Sequence, residues 1–90
     1  MQALLITYDL AKDSSGERYS KIIEVIKSTK NWARLSESSY AVLTSDSPSE
    51  FYEKFKGLVG SGDKFLVFSL GGSYFGRHSK EVVEWLKDSI

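Results

Sequence analysis

Residues 3–10, Ala3-Leu4-Leu5-Ile6-Thr7-Tyr8-Asp9-Leu10, form the stretch that decides the fold. The run is apolar on both of its alternating faces, a pattern typical of a covered strand in the centre of a sheet. With a period of two, its even-numbered residues share one face and its odd-numbered residues share the other. Asp9 therefore ends a central strand at its carboxyl end, where sheets often carry functional groups. It is the leading candidate for chemistry in the first half of the chain.

Length and composition predict one folded domain over residues 1–90. Apolar residues make up 41% of the chain, which excludes disorder. Twelve basic and twelve acidic residues cancel, so any nucleic-acid binding must depend on a local patch. The absence of cysteine excludes disulfides, thiolate metal sites and a cysteine nucleophile. Without a leader pattern or a long apolar run, we expect a soluble cytoplasmic protein with no membrane partner.

Helical periodicity alternates with strand patterns in the first half of the chain. Ser14 and Glu17 have the spacing of a capping box, which predicts a helix over residues 17–29. Residues 31–37 and 40–44 then alternate around a tight turn, and they are predicted to form a hairpin with its first strand at an edge.

The second half repeats the pattern and ends in a further helix. Ser47, Pro48 and Glu50 predict a capped second helix, which Gly57 and the glycines at 60–62 bring to an end. Residues 65–70 read as a strand, and residues 71–76 as a glycine-rich loop with two aromatic residues. Ser79 is the predicted cap of the last helix.

This order of elements predicts an α+β fold, the ferredoxin-like βαββαβ sandwich, with an added C-terminal helix. Right-handed crossovers place the two main helices on one face of a four-stranded antiparallel sheet. The first and third strands are then central and the fourth is an edge. The fourth strand is apolar on both faces, so we expect either the last helix or a second copy of the protein to cover the open face.

The chain resembles the small nucleases of CRISPR adaptation (the Cas protein numbered two), the VapD-like toxins and the SinR-family proteins. The Tyr8-Asp9-Leu10 end of the first strand, the Trp32-to-Leu43 hairpin, the length and the topology carry the resemblance. Within this group the chain looks closest to the SinR type. Four features of the sequence carry that similarity: Asn31-Trp32, Ser38-Ser39-Tyr40, the loop at 71–76 and Glu84-Trp85-Leu86.

The resemblance implies a nuclease that cleaves RNA or DNA phosphodiesters with a divalent metal across a homodimer. Asp9 would be the catalytic and metal-binding residue, with Tyr8 beside it and Mg²⁺ as the cofactor. Arg34 and Arg18 are the candidates for contacts with phosphate. The neutral charge and the predicted C-terminal helix depart from the family, whose members have a basic surface and a further strand that reaches the partner.

Other interpretations remain open for most of these residues. Asp9 could simply end its strand, and the two arginines could belong to a solvated face. Tyr8 and Tyr40 could stack RNA bases on the sheet or lie in a dimer face. The spacing of His78 does not support a catalytic triad. The aromatic residues of the 71–76 loop are expected to pack on the core or on a partner. A non-catalytic dimeric module of a toxin–antitoxin, phage or CRISPR-type system, binding nucleic acid or protein, is the alternative function.

Overall fold

A computed structural model describes residues 1–11 and 16–90 and confirms the predicted α+β fold. The elements follow one another as β1 (Gln2–Asp9), α1 (Glu17–Lys27), β2 (Trp32–Ser36), β3 (Ser39–Thr44), α2 (Pro48–Glu53), β4 (Lys64–Ser69) and α3 (Lys80–Ser89). The strands form one antiparallel sheet in the order β2-β3-β1-β4, which is compatible with a ferredoxin-like fold. As predicted, β1 and β3 are central, while β2 and β4 are the edges.

The core lies between the sheet and the two helices α1 and α2. The even-numbered residues of β1 face these helices, and Leu4 and Ile6 are completely buried there. The helices contribute apolar side chains at helical spacing, among them Ile22 from α1 and Phe51 from α2. The two faces predicted from the alternation are present, and the structure shows that the helices cover the even-numbered one.

The predicted capping box at the start of α2 is present with both of its hydrogen bonds. The Ser47 hydroxyl accepts the backbone N–H of Glu50, and the Glu50 carboxylate accepts the backbone N–H of Ser47. Pro48 occupies the first turn of the helix, where the lack of an N–H costs nothing.

The second helix is shorter than predicted, because regular α-helical bonding stops at Glu53. From Lys54 onward the backbone N–H groups bond three residues back, and Gly57 then turns the chain with a φ of 89°. Phe55 still reaches the core from this tightened segment, with 1% of its surface exposed.

Helix α1 also ends two residues before the predicted limit, at Lys27. Lys30 takes a left-handed conformation with φ of 63°, which redirects the chain into β2. The capping box predicted at Ser14 lies outside the described residues.

The last helix begins as predicted and covers only part of the open face, which we define as the side of the sheet away from α1 and α2. The Ser79 hydroxyl caps α3 by accepting the N–H of Val82 at 3.3 Å. The Trp85 indole donates to the side chain of Asn31, and α3 contacts β2. Because β2 and β4 are opposite edges, α3 leaves the β4 half of the open face uncovered.

Candidate functional site

Asp9 ends β1 and is exposed, at the position that the first strand's pattern predicts. It borders a groove of about 460 Å³, which we call the Asp9 groove, whose other lining residues are Tyr19, Ile23, Arg34, Glu37 and Ser38. The groove forms because the backbone N–H of Tyr8 donates to the carbonyl of Ser38, which holds the β2–β3 turn beside the end of β1. Within the described residues no ion pair involves Asp9.

Tyr8 adjoins Asp9 in sequence but faces the opposite side of the sheet. Its ring lies in the core between Tyr19 and Phe65, with 2% of its surface exposed. Burial is the main cause that raises the pKa of the Tyr8 phenol to about 12, so the hydroxyl stays protonated. Among the described residues that hydroxyl has no hydrogen-bond partner. A direct contact between Tyr8 and a substrate therefore requires the core to open.

Arg34 lines the Asp9 groove, and Arg18 lies elsewhere. In the ladder Arg34 stands opposite Tyr40, so it shares the helix-side face with Tyr8 while Asp9 lies on the other face. Arg34 is exposed in β2, and its Nε donates to the carbonyl of Ser36 at 3.2 Å across a local irregularity of the strand. The remaining guanidinium nitrogens can face the Asp9 groove, which Arg34 lines. A phosphate in the groove would thus meet one guanidinium group and one carboxylate.

Arg18 forms an ion pair with Asp63 at 2.5 Å and also donates to the carbonyl of Leu58. The Asp63 carboxylate further accepts the backbone N–H groups of Ala11 at 2.8 Å and Gly60 at 2.6 Å. These contacts connect the residue pair after β1, the first turn of α1 and the turn before β4. Arg18 in this arrangement has a structural role.

The Asp63 cluster lowers the pKa of that carboxyl from 3.8 to about 2. The hydrogen bond from Arg18 is the largest cause, followed by the two backbone donors, since all three favour the charged form. Sequence reasoning missed this cluster. Arg18 and Asp63 are 45 positions apart, and only the tertiary fold makes them neighbours.

The described residues do not gather a cluster of metal ligands around Asp9. Within residues 1–11 and 16–90 there is no group of three or more histidine, cysteine, aspartate or glutamate residues that could hold a metal ion. Asp9 also stands directly opposite Lys64 across the β1–β4 ladder, and a cross-strand amine favours the free carboxylate over a bound cation. Mg²⁺ would need oxygen ligands besides the Asp9 carboxylate at this position.

An exposed apolar surface lies next to Asp9 on the open face. Leu66 and Phe68 of β4 are 58% and 46% exposed, and they stand opposite Thr7 and Leu5 of β1. We call these two residues the β4 patch. Because Asp9 follows Thr7 on the same face, the carboxylate sits at the end of this patch. Asp9 and Leu66 also line a common cavity of about 360 Å³.

The interpretation of Tyr8 and Tyr40 as base-stacking residues is wrong for this structure. Both point to the helix side and are buried, Tyr40 with 1% of its surface exposed, so no base can reach either ring. His78 lies on the open face, where its Nε2 is 2.6 Å from the carbonyl oxygen of Leu35 in β2, a strand separated from β1 by β3.

The chain matches no protein-family model and no curated protein. None of the helices in the described ranges is long and apolar enough to cross a membrane.

Proposed function

We propose that the protein is a homodimeric, divalent-metal-dependent nuclease that cleaves RNA or DNA phosphodiesters at Asp9. The observation that carries the proposal is the position of Asp9, an exposed carboxylate that ends a central strand and adjoins the β4 patch. The resemblance of the Tyr8-Asp9-Leu10 strand end to the CRISPR adaptation nucleases and their SinR-type relatives supports it.

The β4 patch supplies the driving force for dimerisation in this proposal. Leu66 and Phe68 would lose their exposed apolar area against a second copy, which favours association by roughly 25 cal/mol per Å². A symmetric pair places the same patch on both subunits. In this proposal the two-fold axis passes beside the Asp9 end of the patch, so that the two Asp9 carboxylates would act together as metal ligands.

Two Asp9 carboxylates together with a substrate phosphate suit Mg²⁺, which takes oxygen ligands and commonly binds through one or two carboxylates. A bound Mg²⁺ would polarise the phosphoryl oxygen and lower the pKa of a water nucleophile. Arg34 would hold a neighbouring phosphate in the Asp9 groove and so orient the scissile bond. The buried Tyr8 ring supports the strand end from the core side.

The test is cleavage of labelled single-stranded RNA and DNA with Mg²⁺ or Mn²⁺, with EDTA as the metal-free control. We expect the wild-type chain to cleave and Asp9→Asn to lose the activity, because the amide retains the shape of the side chain but not its charge. Glu37→Gln is the matched control, since this carboxylate borders the same groove but belongs to the β2–β3 turn. Equal activity of the Asp9→Asn variant would contradict the proposal.

The second candidate is a non-catalytic dimeric module that binds nucleic acid or protein in the cytoplasm. The position of Lys64 opposite Asp9 in the β1–β4 ladder favours it, because a cross-strand amine competes with a metal ion for the carboxylate. In that case neither the wild-type chain nor Lys64→Gln would cleave. For a nuclease, removing the competing amine should strengthen metal binding and lower the Mg²⁺ concentration needed for half-maximal cleavage.

A further inference from the structure

The segment between β4 and α3 carries an unusual combination of exposed aromatic and basic side chains. Phe75 is fully exposed and Tyr74 is 46% exposed. Arg77, His78 and Lys80 follow within five residues and are also exposed. The expectation that these aromatic residues pack on the core is therefore wrong for Phe75, whereas Tyr74 is partly covered.

The charge distribution separates this segment from the rest of the neutral chain. Residues 64–80 contain no aspartate or glutamate, although the whole chain has twelve acidic residues. Arg77 and Lys80 give residues 74–80 the local positive charge that a neutral chain needs for binding a polyanion, and Glu81 follows directly in the first turn of α3.

A small pocket lies beneath these side chains. Its volume is about 220 Å³, and it is lined by Leu35, Tyr74, Phe75, Gly76, Arg77, His78, Val82, Val83 and Leu86. Helix α3 and strand β2 contribute apolar side chains to the lining of this pocket. Tyr74 and Phe75 add two aromatic rings, and Arg77 and His78 add a guanidinium and an imidazole group. A planar apolar group joined to an anion fits this arrangement, and a nucleotide is such a group.

We propose that this aromatic–basic loop, residues 74–80, binds single-stranded nucleic acid. Phe75 and Tyr74 would stack on unpaired bases, and Arg77 and Lys80 would contact the adjacent phosphates. Bases in a duplex are stacked on each other and do not present their faces, so single strands are the fitting partner. The loop shares with the nuclease proposal only the class of ligand, and it stands whether or not Asp9 cleaves.

A second copy of the chain is the other occupant to consider. The centres of protein interfaces are depleted in charged residues. In this loop the charged residues Arg77 and Lys80 follow the exposed Phe75 closely in sequence. The charge pattern thus favours nucleic acid over self-association at this loop, and a binding experiment with a sedimentation control separates the two.

Fluorescence anisotropy with labelled deca-thymidylate and deca-uridylate, at low salt and in EDTA, measures binding without metal-dependent cleavage. We expect Phe75→Ala to weaken binding at least about fivefold, since one stacked base is lost. Arg77→Gln should weaken binding and reduce the slope of log affinity against log salt by about 0.7, as expected for one lost phosphate contact. Lys56→Gln, an exposed residue after α2, is the matched charge control and should change neither quantity.

Three results would overturn the proposal. They are the absence of wild-type binding at low salt, equal affinity of Phe75→Ala and wild type, and equal affinity for single strands and for a duplex of the same length. Sedimentation velocity of Phe75→Ala serves as the check on self-association. A lower mass with unchanged oligonucleotide affinity would assign the loop to a protein contact instead. Binding is measured in EDTA, where the proposed nuclease cannot cleave, so failure of cleavage and failure of this site are distinguishable.

Discussion

Replacing Leu66 with aspartate should separate the proposed dimer without unfolding the sheet. Leu66 is 58% exposed in one chain, so covering it would realise a little over half of the 1.5–3 kcal/mol that full burial of such a side chain supplies, roughly 1–2 kcal/mol. A symmetric dimer contains the residue twice. Loss of both contributions amounts to about 2–3 kcal/mol, or roughly 30- to 150-fold weaker association. The two new carboxylates in the interface weaken it further.

Sedimentation velocity over micromolar concentrations is the assay, with thermal unfolding as the check on folding. Tyr52→Asp is the matched control, because Tyr52 is 42% exposed but lies on α2, on the other side of the sheet. Val67→Lys, by contrast, should reduce stability, since Val67 packs against the core from the covered face of β4. A monomeric wild-type chain, or a Leu66→Asp variant that associates as the wild type does, would refute the reasoning.

Three further results follow from individual contacts. Because the folded pKa of Asp63 is about 2, below its ordinary 3.8, its contribution to stability is present above pH 4 and is lost as the pH falls towards 2. Asp63→Asn should lower the melting temperature at neutral pH and reduce its fall between about pH 4 and pH 2. A melting temperature that falls over this pH range as in the wild type would contradict the cluster's role. Ser47→Ala should cost about 1 kcal/mol in the free energy of chemical unfolding, and a denaturation midpoint equal to wild type would exclude the cap. Tyr8→Phe should keep or raise the melting temperature, because the hydroxyl has no partner among the described residues, and a clear decrease would show a hidden hydrogen bond.

The fold was largely predictable because its signals are local. The alternation in β1 separated its two faces, and the Ser47 and Ser79 caps located two helix starts through their own hydrogen bonds. The position of Asp9 at an exposed strand end follows from the same alternation. Each of these features depends on residues within a few positions of one another.

What could not be predicted depends on tertiary contacts between distant residues. Arg18 was a candidate for phosphate contact because its partner Asp63 is remote in sequence. The burial of the Tyr8 hydroxyl became visible only once α1 was placed over β1. Helix periodicity cannot show which strand α3 contacts, and hence which half of the open face stays exposed.

The central claim, that two Asp9 residues meet across a dimer, is tested most directly by a distance between them. The chain has no cysteine, so Asp9→Cys accepts a single spin label. In the proposed dimer the two labels lie close enough to broaden the electron paramagnetic resonance spectrum, and dilution with unlabelled protein removes the broadening. A Glu53→Cys label, at the end of α2, should show none. A sharp Asp9→Cys spectrum at concentrations where the protein sediments as a dimer would contradict the account.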